Sequence, residues 1–114
     1  MKVLLLRLSA EPWELMENCT KNNEYRFNNP KTDWIKRRLI YSKTGKDKQY
    51  DAVLMPNGYG KVRYFARTFL GYKIAQKNYT VTYGDFKVHV KKGMYNIKLG
   101  AVIKRGNINS KELF

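Results

Sequence analysis

From residue 51 onward the chain is written almost entirely in extended runs. DAVLM, KVRYFARTFLGYK, YTVTY, FKVHV and MYNIKLGAVIKRG follow one another, with a glycine-rich turn at PNGYG and a second turn at Gly84-Asp85. Helical spacing occurs only earlier, in two short segments. A doubly wound sheet needs a crossover helix after most strands, so this order excludes it and points to an α+β fold, a small curled sheet or β-barrel with two helices near the N-terminus. At 114 residues the chain has material for one compact domain, residues 1–114, around a single core.

The alternation assigns faces. In the closing run Tyr95, Ile97, Leu99, Ala101 and Ile103 fall on one side, read as inward, and Lys98 and Lys104 on the other, while Gly100 leaves room for a bulge or a close neighbour. In the long run before it Lys61, Arg63 and Arg67 share a face with Phe65 and Phe69. Such a face can grip a phosphate backbone and stack on bases, or line a barrel wet at one end. FKVHV places His89 with the lysines, as a surface residue.

The amino-terminal run KVLLLRL is nearly all apolar and reads as a central strand. Ser9 and Pro12 then open a helix through about Asn18, with Trp13 and Met16 at helical spacing. "NNP" starts the second helix, Asn29 capping it, Pro30 in its first turn, and Ile35 and Leu39 four apart. Lys36, Arg37 and Arg38 cover the rest of that helix, either as a solvated back or as phosphate contacts; Trp34 is read first as a packing residue. SKTGKDKQ is a solvated loop, and the tail NINSKELF is polar and loosely held.

Charge narrows the partner. The 23 Lys and Arg against 9 Asp and Glu give a formal net charge of +14, well beyond what solubility asks of a small domain. Residues 1–57 contribute +4 and residues 58–114 contribute +10. A polyanion is the plainest partner, and the charge admits RNA and DNA alike. Cys19 is the single cysteine and His89 the single histidine, so neither an intrachain disulfide nor a zinc site is expected. No signal peptide or run of membrane-spanning length is read, which leads to the expectation of a cytoplasmic protein with no membrane partner and no cofactor.

Between the two helices lies CTKNNEYRF, with Lys21, Glu24 and Arg26 within six positions. An arginine and a carboxylate two apart on a strand can form a fork-shaped pair, and a lysine beside them offers a cation to a phosphate or to a developing oxyanion. Equally, the three can be an ordinary ion pair and a helix-terminal lysine.

The run LLLRLSAEPWELMENCTKNNEYR resembles the opening of ASCH-domain proteins, in which a strand leads to a helix, a lysine-containing turn and Glu-x-Arg. Lys21, Glu24 and Arg26 stand at those positions. DAVLMPNGYGKVRYF resembles the "NGY" segment of a subgroup of that family, and YNIKLGAVI its closing strand. The resemblance implies a small PUA-like β-barrel and RNA binding. It also implies two alternatives, an amidohydrolase acting on acetylated cytidine or a ribonuclease. In the hydrolase pattern a threonine follows the lysine closely and a later glutamate takes part; here Asn22 and Asn23 follow Lys21 while Thr20 precedes it, and after Asp51 only Asp85 and Glu112 are acidic.

The expected site is therefore a basic cleft. Lys21, Asn22, Arg26, Asn57, Tyr59, Lys61, Arg63 and Arg67 are the candidate nucleic-acid contacts; Lys21, Glu24 and Thr20 are the catalytic candidates if the chain is an enzyme. A third class, a basic phage or bacterial module that docks on an acidic protein, uses the same field.

Overall fold

A computed structural model describes residues 2–8, 10–58 and 61–109. Seven strands and two short helices follow in the order β1 (Val3–Leu5), α1 (Ala10–Glu17), β2 (Asn23–Arg26), α2 (Trp34–Leu39), β3 (Ala52–Pro56), β4 (Lys61–Ile74), β5 (Tyr79–Tyr83), β6 (Phe86–Val90) and β7 (Tyr95–Asn109). The fold is α+β, as the run order requires. Five strands form one sheet in the order β1-β3-β4-β7-β2, and β5 and β6 form a separate hairpin.

The expected barrel is not closed. The sheet is curled and open, with β1 and β2 at its two ends. β1 pairs with β3 in parallel, Val3 opposite Ala52, a parallel bridge joins Leu8 to Asn57 beyond them, and the other described strand pairings are antiparallel. The opening strand is thus an edge strand rather than a central one. Its apolar character is still used, because Leu4, Leu6 and Leu8 are buried in the main core.

The core lies between α1, α2 and one face of the sheet. Trp13 and Met16 of α1 and Ile35 and Leu39 of α2 are buried in one cluster with Val53, Met55, Phe65, Ile97 and Leu99. Trp13 also has its polar edge satisfied, the indole Nε1 donating to the Met55 carbonyl at 2.8 Å while the ring lies 5.2 Å from that of Phe65.

The second helix starts later than "NNP" suggests. Asn29 accepts from the Lys31 amide through its side chain and from Thr32 and Asp33 through its carbonyl, which closes a turn. Asp33 then takes a left-handed conformation, φ 49°, and helix begins only at Trp34.

Bulges decide which residues of the two long strands face inward. The register between β4 and β7 shifts between Ala66 and Arg67, between Arg67 and Phe69, and between Phe69 and Tyr72. As a result the inward alternation Tyr95, Ile97, Leu99 ends at Gly100, and Ala101 and Ile103, expected inside, are exposed while Val102 packs on the core. Gly100 serves both expected purposes: it lies in the irregular stretch, and a Cβ there would sit 3.1 Å from that of Thr68. His89 is exposed beside Thr80, and the Gly84-Asp85 turn closes the hairpin. The tail beyond residue 109 and Tyr59 lie outside the described residues.

Candidate functional site

The site begins where α1 stops. Cys19, a non-glycine residue at φ 64°, reverses the chain, and the Lys21 amide returns to the Leu15 carbonyl at 2.9 Å. That reversal directs Lys21 back beneath the helix, where it is only 1% exposed. A left-handed non-glycine residue costs on the order of 1 kcal/mol, so the turn needs outside support.

Arg67 supplies it. This side chain, 2% exposed, places all five of its N–H donors on protein acceptors. Nε donates to the Gly100 carbonyl at 2.7 Å, Nη1 to the carbonyls of Met16 at 3.0 Å and Lys21 at 2.8 Å, and Nη2 to Asn22 Oδ1 and the Leu99 carbonyl. The helix end, the turn and the bulge of β7 are thereby tied to one buried cation. Arg67 was expected to hold nucleic acid on a strand face; that face, shared with Phe65 and Phe69, turns to the core, and its guanidinium has no donor left for a ligand. Asn22, expected to hold a base, has its side-chain oxygen engaged by the same guanidinium.

On β2, residues two apart share a face, which puts Glu24 and Arg26 together. Glu24 is buried and accepts four hydrogen bonds: from Lys21 Nζ at 3.4 Å, from the Tyr25 amide at 3.1 Å, and from Arg26 Nε at 3.2 Å and Nη2 at 2.9 Å. Arg26 Nη2 donates also to the Arg7 carbonyl at 2.7 Å. Lys21 Nζ donates to the Asn23 carbonyl and lies 3.9 Å from Met16 Sδ. Burial lowers the proton affinity of Lys21; Glu24 opposes that shift, and the nearby guanidiniums of Arg26 and Arg67 add to it.

Lys21, Glu24 and Arg26 line one open cleft of about 310 Å³. Its other side is apolar, with Leu8 and, from the hairpin, Phe86 and Val88. The hairpin is held there through aromatic contacts: Tyr79 meets Tyr25 edge to face at 6.5 Å, and Lys21 Nζ lies 5.3 Å and 5.7 Å from the ring centroids of Tyr25 and Tyr83. Desolvation, with Tyr83 and Tyr79 close by, pushes the Tyr25 phenol well above its ordinary range. The apolar wall did not figure in the candidate set, although the alternation in FKVHV put Phe86 and Val88 on a common face.

The remaining candidates lie elsewhere. Thr20 is exposed in the turn and does not line the cleft. Asn57 bridges to Leu8, and its amide donates to the Arg63 carbonyl at 3.0 Å. Lys61 and Arg63 are exposed on the first half of β4, where the Arg63 guanidinium lies 4.8 Å from the Trp13 ring centroid and borders a different cleft, with Glu17 and Arg105 joined at 2.7 Å. Of the seven nucleic-acid candidates among the described residues, Lys21 and Arg26 alone line the cleft.

Among the described residues no group of His, Cys, Asp and Glu could hold a metal ion, and no helix is long and apolar enough to cross a membrane. Comparison with protein-family models, with curated proteins and with solved structures gives no match.

Proposed function

We propose that residues 1–114 form an ASCH-like domain of the PUA-like group that binds RNA, with the cleft at Lys21, Glu24 and Arg26 receiving a single splayed base or its ribose. The observation that supports this reading is the convergence of those three side chains beside an apolar wall, in a chain of net charge +14. Arg26 bonds Glu24 and Arg7 through Nε and Nη2, which leaves the Nη1 donors to meet a base edge or ribose, and Phe86 and Val88 give the base's flat face an apolar neighbour. Long-range attraction of the phosphate chain comes from the excess of cations.

Equilibrium binding of single-stranded RNA, single-stranded DNA, duplex and an acidic protein at two salt concentrations tests the reading. Binding to RNA that weakens steeply with salt, and that Arg26→Gln weakens further, is expected. Salt-insensitive RNA binding, or a preference for the acidic protein, refutes it.

One observation favours hydrolysis as a second reading: a lysine whose proton affinity is lowered by burial stands against a carboxylate in an open cleft. Water would attack the acetyl carbonyl of acetylated cytidine, passing its proton to Glu24 while Lys21 polarises the carbonyl oxygen; the C–N bond then breaks as Glu24 returns that proton to the cytosine amino nitrogen, giving acetate and cytidine. Thr20, which does not line the cleft, takes no part in this step. Turnover of acetylated cytidine that Glu24→Gln abolishes would establish this activity; none in the unaltered protein would leave RNA binding alone.

A further inference from the structure

A cleft larger than the one at the Lys21 knot lies apart from it. It measures about 600 Å³ and lies between α2 and the loop after it, lined among others by Trp34, Arg37, Arg38, Tyr41, Lys48 and Tyr50. None of its described lining residues is acidic. Two of its aromatic rings face solvent, Trp34 at 50% exposure and Tyr41 at 45%, although large aromatic side chains are among the costliest to leave in water.

Each of these rings is accompanied by cations. The Arg38 guanidinium lies 4.9 Å from the Trp34 ring centroid, Lys48 Nζ 5.3 Å from that of Tyr41, and Lys2 Nζ 5.5 Å from Tyr41 and 5.4 Å from Tyr50. Arg38 is fixed by donating to the Leu5 carbonyl at 2.9 Å, and Tyr50 by donating its hydroxyl to the Arg38 carbonyl. The arrangement is therefore braced from below and open above.

A second cleft of about 420 Å³ adjoins the first, sharing Lys48 and Tyr50 with it and carrying Lys73 and Lys98 along its length. Its one acidic residue, Asp47, is engaged by the Tyr72 hydroxyl at 2.6 Å. Lys73 stands close enough to Lys98 to repel its charge, so this end of the path carries two neighbouring cations.

We propose that this continuous groove, from Trp34 and Tyr41 past Lys48 to Lys73 and Lys98, is the track along which the chain holds single-stranded RNA, with bases stacking on Trp34 and Tyr41 and phosphates lying against the flanking cations. Stacking on an aromatic face is open only to unpaired bases, which selects single strand over duplex. The inference rests on the RNA-binding reading above and adds a second, larger contact surface to it.

Fluorescence anisotropy of a labelled oligouridine RNA provides the test, with an RNA duplex of the same length as comparison. Trp34→Ala and Tyr41→Ala are each expected to weaken single-strand binding by about fivefold or more. Arg37→Gln should weaken it and reduce the dependence of log affinity on log salt by about 0.7. All three residues are exposed, so circular dichroism should report unchanged folding. Trp13 is buried and Trp34 is not, so RNA should quench tryptophan emission in the unaltered protein, and Trp34→Phe should remove the quenching while retaining most of the binding.

If the protein binds RNA and Arg26→Gln weakens it while Trp34→Ala and Tyr41→Ala stay within twofold, the groove is not the track and the RNA-binding reading survives. Equal losses for single strand and duplex would overturn stacking. No RNA binding at all would remove both readings.

Discussion

Arg26 joins the two ends of the sheet. It sits on β2, the last strand in the sheet order, and its Nη2 donates at 2.7 Å to the carbonyl of Arg7, just beyond β1, the first. The β3 side of β1 is occupied by the amides of Leu6 and Leu8, which donate to Leu54 and Pro56, so the Leu5 and Arg7 carbonyls fall on the free edge and are taken by Arg38 and Arg26. Side chains thus perform the closure that backbone pairing would perform in a complete barrel. Arg26→Lys retains the charge and loses the fork that reaches Glu24 and Arg7 together. It is expected to lower stability by about 1–3 kcal/mol, read from urea unfolding midpoints, with Arg26→Gln at least as damaging.

Arg67 is buried with every donor engaged, so its removal should be costly. Arg67→Met would fill much of the volume and leave the carbonyls of Met16, Lys21 and Gly100 without their donor, in a region closed to water. A loss of about 3–5 kcal/mol in denaturant titration is expected, with Arg67→Lys recovering only part because an ammonium cannot span the five acceptors. Unchanged stability in Arg67→Met would show that the turn after α1 is held by other means.

The knot was legible because it is local. Glu24 and Arg26 follow the two-residue period of a strand, and Lys21 follows a helix end, so nearest-neighbour geometry suffices to bring them together. Arg67 was not legible for the converse reason. Alternation puts it with Phe65 and Phe69, but whether that face turns to the core and which carbonyls it meets is set by α1 and by the irregular pairing with β7, both distant in sequence. Gly100 was the one local sign of that irregularity. The groove beside α2 was concealed by a general rule: a tryptophan at the start of a helix usually packs, and only the late helix start after Asp33 leaves Trp34 half in solvent.

Gly100 offers a direct check of the bulge. An added Cβ would approach Thr68 Cβ at 3.1 Å and the Leu70 side chain at 3.4 Å, closer than backbone-anchored atoms accept without movement. Gly100→Ala should therefore destabilise by about 1–2 kcal/mol in urea titration, whereas Ala101→Ser, next to it and exposed, should stay within about 0.5 kcal/mol of the parent. Equal effects at the two positions would mean that the strands can shift register at little cost.

Lys21 makes stability depend on pH in a direction that can be worked out. Its proton affinity in the folded chain is lowered from 10.5, mainly by burial, while the unfolded chain titrates near the ordinary value. Below the folded value both states hold the proton, and folding carries the full cost of burying the charge. Between the two values the unfolded state binds more protons than the folded one, so this contribution to stability rises with pH. Lys21→Met has no such proton to release. The stability of the parent relative to Lys21→Met, from urea titrations at about pH 7 and about pH 10, should therefore increase with pH. Tyr25 and Tyr72, whose phenols are pushed above the ordinary range, act in the opposite sense only above about pH 10, are present in both proteins, and cancel in the difference. A parent and variant whose stabilities run parallel across that interval would mean that the Glu24 carboxylate fully offsets the burial of the ammonium, and the second, hydrolytic reading would lose the observation that favours it.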